Sequence, residues 1–287
     1  MKIQSESLAP PSAARTRAPV ATGAPRRRHR RRFRVPAGIQ RLAGPLLLLL
    51  AWQAGSSLGA IDPQTLASPS AVISASWALI ESGELPKHLW VSLGRAMLGL
   101  AIGVAVGTVA ALVSGLSRIG ENMVDGPMQM FRTMPVTATI PLLIVWFGIG
   151  ETPKIAMVAI ATTFPIYLNL LGGIRAVDRR LVEAMQTFGL GQAALIRHVV
   201  LPSALPSFLV GLRYSLGIAW VVLVISEQIN ATSGIGYLMI DAQQYFRTDV
   251  IVVGLIVYSL LGLASDVIVR VIERRALDWR ASLGTDR

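Results

Sequence analysis

The sequence of 287 residues contains no cysteine and only three histidines, His29, His88 and His198. The lack of cysteine excludes disulfide bonds, thiolate metal sites and thiol chemistry. The histidines lie too far apart in sequence to indicate a metal site, so we expect no metal and no cofactor. Charged residues are also scarce, at 15% of the chain, whereas 53% of residues are hydrophobic and the mean hydropathy is +0.56. This composition is typical of an integral membrane protein.

Positive charge is concentrated near the N-terminus. The formal net charge is +11, and residues 1–41 hold 11 of the 27 Lys and Arg residues but one of the 16 acids. The basic character therefore belongs to one tail, and it does not indicate a domain that binds nucleic acid. Residues 1–41 are rich in Ala, Pro, Ser and Arg and show no periodicity, which predicts a disordered cytoplasmic tail.

Seven arginines between residues 26 and 34 form a dense cluster that has three interpretations. The favoured interpretation is a positive-inside anchor that also contacts anionic membrane lipid. A twin-arginine export signal is the second interpretation, because Arg31-Arg32-Phe33 precedes an apolar run. Nucleic-acid binding is the least favoured, because no folded or aromatic element accompanies the cluster.

Long apolar runs predict an all-α membrane protein with about six transmembrane helices. The predicted spans are residues 42–60, 96–117, a broken span within 121–151, 155–174, 206–225 and 250–269. The third is interrupted by Pro127, Pro135 and Pro141, and such a break is tolerated where protein or a water-filled cavity surrounds it. Residues 42–84 are predicted to form the first span and a periplasmic segment, which includes a short amphipathic helix from about Leu66.

Small residues recur at every fourth position of the second predicted span, namely Gly99, Gly103, Gly107, Ala111 and Gly115. On a helix this spacing makes one continuous ridge, and a ridge of small residues lets another helix approach closely. We therefore expect Gly99, Gly103 and Gly107 to form a helix–helix contact within the membrane.

A polar and basic stretch, residues 175–205, separates the fourth and fifth predicted spans. Asp178 can cap a helix that follows it, and Gly189 suits the left-handed end of that helix. Four apolar residues share one face of the helix at helical spacing: Leu181, Ala184, Met185 and Phe188. A second helix is predicted from Gln192 to Val200, with Pro202 ending it.

The same stretch resembles the coupling loop of ATP-binding cassette (ABC) importer permeases. The pattern of that family is Glu-Ala-Ala, three residues, Gly, nine residues, Ile, one residue and Leu-Pro, and it is matched here by Glu183, Ala184, Gly189, Leu201 and Pro202. Met185 replaces the second Ala, and Val199 replaces Ile. The resemblance implies that these residues dock into a groove on a separate ATPase subunit. The alternative is an amphipathic connector that lies on the membrane surface.

From about residue 85 to residue 279 the chain is similar to one permease subgroup, which imports nitrate, taurine, aliphatic sulfonates and some heterocycles. The motifs that carry this similarity include Ser92-Leu-Gly-Arg95, Gly173-Ile-Arg175, Gly211-Leu-Arg213 and Gly234-Ile-Gly-Tyr237. The run from Phe164 to Val250 is most similar to aliphatic sulfonate permeases. The resemblance implies a type I (MetI-like) permease core over residues 85–275, followed by a cytoplasmic tail at 276–287.

The resemblance also implies the partners: a second permease copy, two ATP-binding subunits, a periplasmic substrate-binding protein and membrane lipid. The sequence has no Gly-x-x-x-x-Gly-Lys-Ser/Thr loop, so we expect ATP hydrolysis in another polypeptide and no enzyme activity here. The distribution of arginine predicts a multi-pass protein of the bacterial inner membrane with both termini in the cytoplasm.

Arg213 and Asp266 are the chief ionisable residues within the predicted spans, and they indicate a buried ion pair or a positive charge for an anionic substrate. An ion-coupled transporter usually has several such groups, and an intramembrane enzyme needs a nucleophile–base pair or a metal set. Both are disfavoured, because the predicted spans contain no histidine and no paired acidic motif. The sequence predicts an importer of a small anion, with aliphatic sulfonate favoured over taurine, nitrate or a heterocyclic nutrient.

Overall fold

The fold is known from a computed structural model that describes residues 37–189 and 191–278, and their side chains except those of residues 37–42 and 179. The arginine cluster, most of the predicted disordered tail and residues 279–287 lie outside these ranges. The described residues form the helices α1 (Ala37–Ser57), α2 (Pro69–Glu81), α3 (Glu84–Leu116), α4 (Arg118–Thr133), α5 (Ile140–Phe147), α6 (Glu151–Arg175), α7 (Arg179–Thr187), α8 (Gln192–Leu195), α9 (Leu201–Gln228), α10 (Ile235–Gln244) and α11 (Thr248–Ala276).

Four helical stretches within the described residues are long and apolar enough to cross a membrane: α3, α6, the run of α8 and α9, and α11. A bent pair, in which α4 meets residues 136–147 at 97°, makes a fifth if it is counted as one span. The predicted number of six transmembrane helices is therefore only approximate. The predicted first span coincides largely with α1, which is not among these helices.

The broken span that the prolines predict is present, and a polar contact joins its first part, α4, to α6. The helix α4 ends at Thr133, a 3₁₀ turn covers Val136–Thr139, and α5 follows with Pro141 in its first turn. The hydroxyl of Tyr167 on α6 donates to Asp125 on α4 at 2.7 Å. A proline in the first turn removes no helical hydrogen bond, because that N–H has no partner within the helix.

The helix α6 lies at the centre of the bundle, where it packs along its length against α3 and α9. The glycine ridge of α3 faces α6, and an added Cβ at Gly103 would lie 2.0 Å from the Thr162 side chain and 2.7 Å from the Ala159 carbonyl oxygen. Cβ atoms at Gly99 and Gly107 would meet Val158 and the Thr163 carbonyl at 2.7 and 2.6 Å. The absence of side chains at these positions is what allows the two backbones to approach so closely.

Two predicted helix boundaries are wrong. The helix α3 begins at Glu84, twelve residues before the predicted start at Ala96, so His88 lies within a long apolar helix. The second helix of the polar stretch does not end at Pro202. It continues through a π turn, Ile196–Val200, into α9. The turn closes with the Leu201 N–H on the Ile196 carbonyl, so Pro202 directly follows the point where the backbone hydrogen-bond register changes.

Candidate functional site

The polar stretch forms a short helix, a glycine corner and a second helix. The Asp178 carboxylate caps α7 by accepting the Arg180 N–H at 2.9 Å. Gly189 has a φ of +82°, the left-handed conformation in which glycine carries no steric penalty. The chain then turns into α8 after Gly191, whose φ is −68°. This arrangement presents α7 as a separate element between α6 and α8.

The face of α7 that carries apolar residues is largely uncovered. Leu181 is 44% exposed and Phe188 is 82% exposed, while Glu183 and Ala184 are also exposed and Met185 is half-buried. An exposed apolar stripe is typical of a surface that contacts another protein or the membrane. The residues that match the C-terminal part of the coupling-loop pattern differ in exposure. Val199 is buried, whereas Leu201 and Pro202, at the start of α9, are exposed.

An ionic cluster connects α3, α6 and α9, in which Arg95 and Glu227 are buried and the Glu151 side chain is 56% exposed. The Arg95 guanidinium on α3 donates to Glu227 on α9 at 2.8 Å and to Glu151 at the start of α6, where both Nε and Nη2 contact the carboxylate. Arg95 Nη1 also donates to the Ser233 carbonyl at 2.6 Å. This arginine therefore joins two helices and the turn before α10.

Glu227 is fully buried, and three further donors besides Arg95 surround its carboxylate. Ser92 and Tyr258 donate to it at 2.8 and 3.0 Å, and the Gly236 N–H donates at 2.9 Å. The last contact places the carboxylate at the N-terminus of α10, where unpaired N–H groups favour a negative charge. A buried carboxylate is stable only with such compensation.

The turn before α10 is built around this carboxylate. A Cβ at Gly234 would lie 2.4 Å from the Glu227 carboxyl carbon, and Gly234 has a φ of +113°. Its N–H donates to Nδ1 of His88 at 2.9 Å, and the Ile235 N–H donates to the Ser92 hydroxyl at 2.9 Å. Residues of α3 and α9 therefore cap α10 in place of a side chain from its own N-cap.

The family of the chain is settled by comparison with known proteins. The family described as "Binding-protein-dependent transport system inner membrane component" matches residues 103–278, which is more than half of the chain. The chain belongs to this family. It is therefore the membrane-spanning permease subunit of an ABC importer, a transport component of the inner membrane and not an enzyme. Such a permease works with ATP-binding subunits and a substrate-binding protein.

Two relatives of the permease have transport names. It is 47% identical over 235 residues to the "Putative aliphatic sulfonates transport permease protein SsuC" of Escherichia coli (strain K12), covering 82% of this chain and 89% of that protein. It is 32% identical over 242 residues to the taurine transport system permease protein TauC of the same organism, covering 83% and 88%. The structure resembles one chain of the crystal structure of an amino acid ABC transporter with histidines, with a TM-score of 0.59, 20% identity, and 70% and 97% coverage. This likeness shows that the permease has the fold of an ABC importer.

Arg213 of the permease contacts two acids of α11. Its Nη2 donates to Glu273 at 2.6 Å, and its Nε lies 3.3 Å from Asp266. Asp266 also pairs with Arg270, one helical turn further along. The Arg213 side chain is 38% exposed. The structure thus places the two predicted residues side by side, and it adds Glu273 as the partner with the shorter contact.

The cluster around Glu227 was not predicted from the sequence. Ser92, Arg95 and Gly234 were singled out as similarity motifs, but no role was inferred for them, and Glu227 lies just past the predicted end of the fifth span. The expectation that the spans contain no histidine was also wrong, because α3 includes His88. The sequence did indicate that such partners exist, because an arginine and a glutamate at the ends of apolar runs need partners in a membrane.

Proposed function

We propose that this permease carries a small alkyl sulfonate into the cytoplasm, driven by ATP that a partner subunit hydrolyses. The observation that carries the proposal is the 47% identity over 82% of the chain to a protein with an aliphatic sulfonates transport name. The 32% identity to a taurine permease makes taurine, itself a sulfonate with an added amino group, the second candidate.

We further propose that α7 and the corner at Gly189 couple transport to ATP hydrolysis. The support is the exposed apolar stripe that includes Leu181 and Phe188, beside the exposed Glu183. A partner groove that buries these side chains would gain hydrophobic free energy at about 25 cal/mol for each Å² of apolar surface covered. A displacement of α7 by the ATPase would pass through the Gly189 corner to α8. Because the π turn joins α8 to α9, the displacement would then reach α9.

The proposed orientation puts both termini and α7 in the cytoplasm. Arginines at the cytoplasmic end include Arg118, Arg175, Arg180 and Arg197, whereas Lys87 and Lys154 occur with Glu84 and Glu151 at the opposite end. An excess of arginine marks the cytoplasmic side of a membrane protein. This orientation brings α7 to the compartment that contains ATP.

We also propose that two copies of the permease assemble around the substrate path, with lipid on their outer faces. In the single chain, α3 and α11 expose large apolar side chains, including Val109, Leu255, Leu260 and Leu263. Such side chains in a membrane-spanning bundle contact lipid or another bundle. The proposed homodimer would bury part of this surface.

Uptake by the complete importer tests the substrate. The permease is assembled with its ATPase and binding protein in proteoliposomes, and uptake of ethanesulfonate, taurine and nitrate is compared at equal concentration. The proposal predicts ATP-driven ethanesulfonate uptake at a higher rate than taurine, with little or no nitrate uptake. Preferential nitrate uptake, or no uptake of either sulfonate, would show that the substrate is wrong.

A further inference from the structure

The helix α4, the first part of the broken span, exposes a polar face. Three polar residues and a glycine recur on this face at helical spacing and are all exposed: Asn122, Gly126, Gln129 and Thr133. Arg132 borders the same face and is exposed as well. Polar and charged side chains within a membrane-spanning segment almost always face the interior of a bundle or a water-filled cavity. The exposed polar face of α4 is therefore typical of a helix that lines an aqueous path.

The position of Arg132 is deep within the bundle. Its neighbour Phe131 lines a small cavity together with Ile160 and Phe164 of α6. These two residues are the tenth and the fourteenth of the 25 residues of α6, so they lie roughly 15 Å from its ends at 1.5 Å per residue. Because α6 is long enough to cross the membrane, Phe131 and the adjacent Arg132 lie near the middle of the membrane's thickness.

The acids of α4 are engaged with other residues. Glu121 pairs with Arg175 at 2.8 Å, and Asp125 accepts a hydrogen bond from Tyr167 at 2.7 Å. Among the described residues, no acid forms an ion pair with Arg132. A cation near the middle of a membrane is costly unless it faces water or meets an anion. The charge of Arg132 therefore indicates an aqueous space beside α4 in the assembled importer.

The break in the span, which follows Arg132 directly, supports the same conclusion. The helix α4 ends at Thr133, and residues 136–147 continue at an angle of 97°. Thr137 and Ala138, in the 3₁₀ turn at this bend, are exposed. Backbone that leaves the helical path within a membrane is tolerated only where it is buried in protein or lines a water-filled cavity. An exposed charge and an exposed break thus lie next to each other at the end of α4.

We infer that Arg132 lines the substrate path and binds the sulfonate group while the anion crosses the membrane. The inference rests on the proposed function and extends it to one side chain. A sulfonate is anionic at physiological pH, and the planar guanidinium can donate two parallel hydrogen bonds to an oxyanion. The neutral side chains of Gln129 and Thr133 can donate further hydrogen bonds. In the proposed homodimer, the second copy closes the path on the opposite side.

Cysteine labelling distinguishes an aqueous path from lipid. The sequence has no cysteine, so the thiol of Arg132→Cys is the only one in the permease. In lipid nanodiscs that contain the permease–ATPase complex, this thiol should react with the charged reagent 2-sulfonatoethyl methanethiosulfonate, because a thiol ionises and reacts readily only where water reaches it. The reaction is followed by the mass of the permease, and excess ethanesulfonate should slow it several-fold.

The matched control is Arg118→Cys, which changes an exposed arginine at the cytoplasmic end of the same helix. Its thiol should react at the same rate with and without ethanesulfonate. An unreactive thiol in Arg132→Cys would place this side chain in lipid or in a protein contact, and it would overturn the inference. A reaction that ethanesulfonate does not slow would overturn it too.

Transport by the complete importer tests the charge itself. In proteoliposomes with the ATPase and the binding protein, Arg132→Gln should reduce ATP-driven ethanesulfonate uptake about tenfold or more, because a hydrogen bond between charged groups is lost. Arg132→Lys keeps the charge and should retain more uptake than Arg132→Gln. The control Arg118→Gln should transport as the wild type does. Unchanged uptake in Arg132→Gln would overturn the inference.

Thermal unfolding separates this role from a structural one. Arg132→Gln breaks no ion pair among the described residues, so its unfolding temperature should equal or exceed that of the wild type. If an acid of the second copy holds the arginine, the change leaves that acid unpaired and lowers the unfolding temperature. A large fall in unfolding temperature together with the loss of uptake would show a structural role and overturn the inference.

Uptake by the wild-type importer distinguishes failure of the inference from failure of the proposed function. If the wild type imports ethanesulfonate but the predictions for the Arg132 variants fail, the assignment of Arg132 alone is wrong. If the wild type imports no sulfonate, the proposed function itself is wrong.

Discussion

The Nη1 atom of Arg95 on α3 lies 2.8 Å from Oε1 of Glu227 on α9, and the two side chains are 3% and 0% exposed. The two residues are separated by 132 positions in the chain. Their contact joins the two helices that flank α6, and the same carboxylate holds the first turn of α10 through the Gly236 N–H. This pair therefore fixes the positions of three helices at one end of the bundle.

Removing the arginine should destabilise the permease strongly. Arg95→Met leaves the buried Glu227 charge without its cation, and breaking such a pair costs about 3–5 kcal/mol. We expect a much lower midpoint of thermal unfolding in detergent. The control Arg118→Met changes an exposed arginine at the start of α4 and should have little effect. Similar midpoints for the two variants would show that the cluster adds little to stability.

The contact between α3 and α6 can be tested at a single glycine. Gly103→Ala places a Cβ 2.7 Å from the Ala159 carbonyl oxygen, which belongs to the α6 backbone, so the helices must separate. Overpacking of this kind costs about 1–3 kcal/mol. Gly94→Ala is the control on the same helix, because nothing lies within 4 Å of its Cβ position. Gly94→Ala should be neutral or slightly stabilising in a thermal unfolding experiment, and an equal loss in both variants would contradict the packing account.

The corner after α7, which is proposed to couple transport to ATP hydrolysis, offers a matched pair of glycines. Gly189→Ala forces an alanine into the left-handed conformation, at a cost of about 1–2 kcal/mol, although the space around its Cβ is open. Gly191→Ala also has open space, but its φ of −68° suits any residue. We expect ATP-driven uptake to fall several-fold in Gly189→Ala and to be retained in Gly191→Ala, with both proteins inserted normally. Unchanged uptake and co-purification of the ATPase in Gly189→Ala would show that the corner is not part of coupling.

Variants of Arg213 can separate a structural role from a role in transport, because stability and uptake are measured independently. Its partners Asp266 and Glu273 are each about one-third exposed, so losing the contacts in Arg213→Gln should cost only about 1 kcal/mol. The double variant Arg213→Gln/Glu273→Gln should recover most of that loss, because Asp266 keeps Arg270. If the double variant is stable and yet transports poorly, Arg213 has a role in the substrate path; full recovery of uptake would show that the contacts are structural.

Local features were predictable from the sequence because they depend on residues close together in the chain. Asp178 caps α7, and Gly189 adopts the left-handed corner, as their residue types and spacing indicate. Periodicity also placed small residues on one face of α3. The helix end predicted at Pro202 was wrong, because a π turn directly before the proline changes the hydrogen-bond register and the helix continues.

The ionic cluster could not be predicted in the same way, because its members come from distant parts of the chain. Arg95, Glu151 and Glu227 each lie close to the predicted end of an apolar run, where a charge is ordinarily assigned to the membrane surface. Only the packing of α3, α6 and α9 brings the three side chains together. The need for a partner was foreseeable, but the identity of the partner was not.

The most direct test is uptake in proteoliposomes that contain the permease and its ATPase, with binding protein and ethanesulfonate outside and ATP enclosed. The account predicts that ethanesulfonate accumulates only when ATP, the ATPase and the binding protein are all present, and that Gly189→Ala reduces this accumulation while Gly191→Ala does not. Accumulation that persists without ATP or without the ATPase would contradict the account and indicate a channel or an ion-coupled transporter.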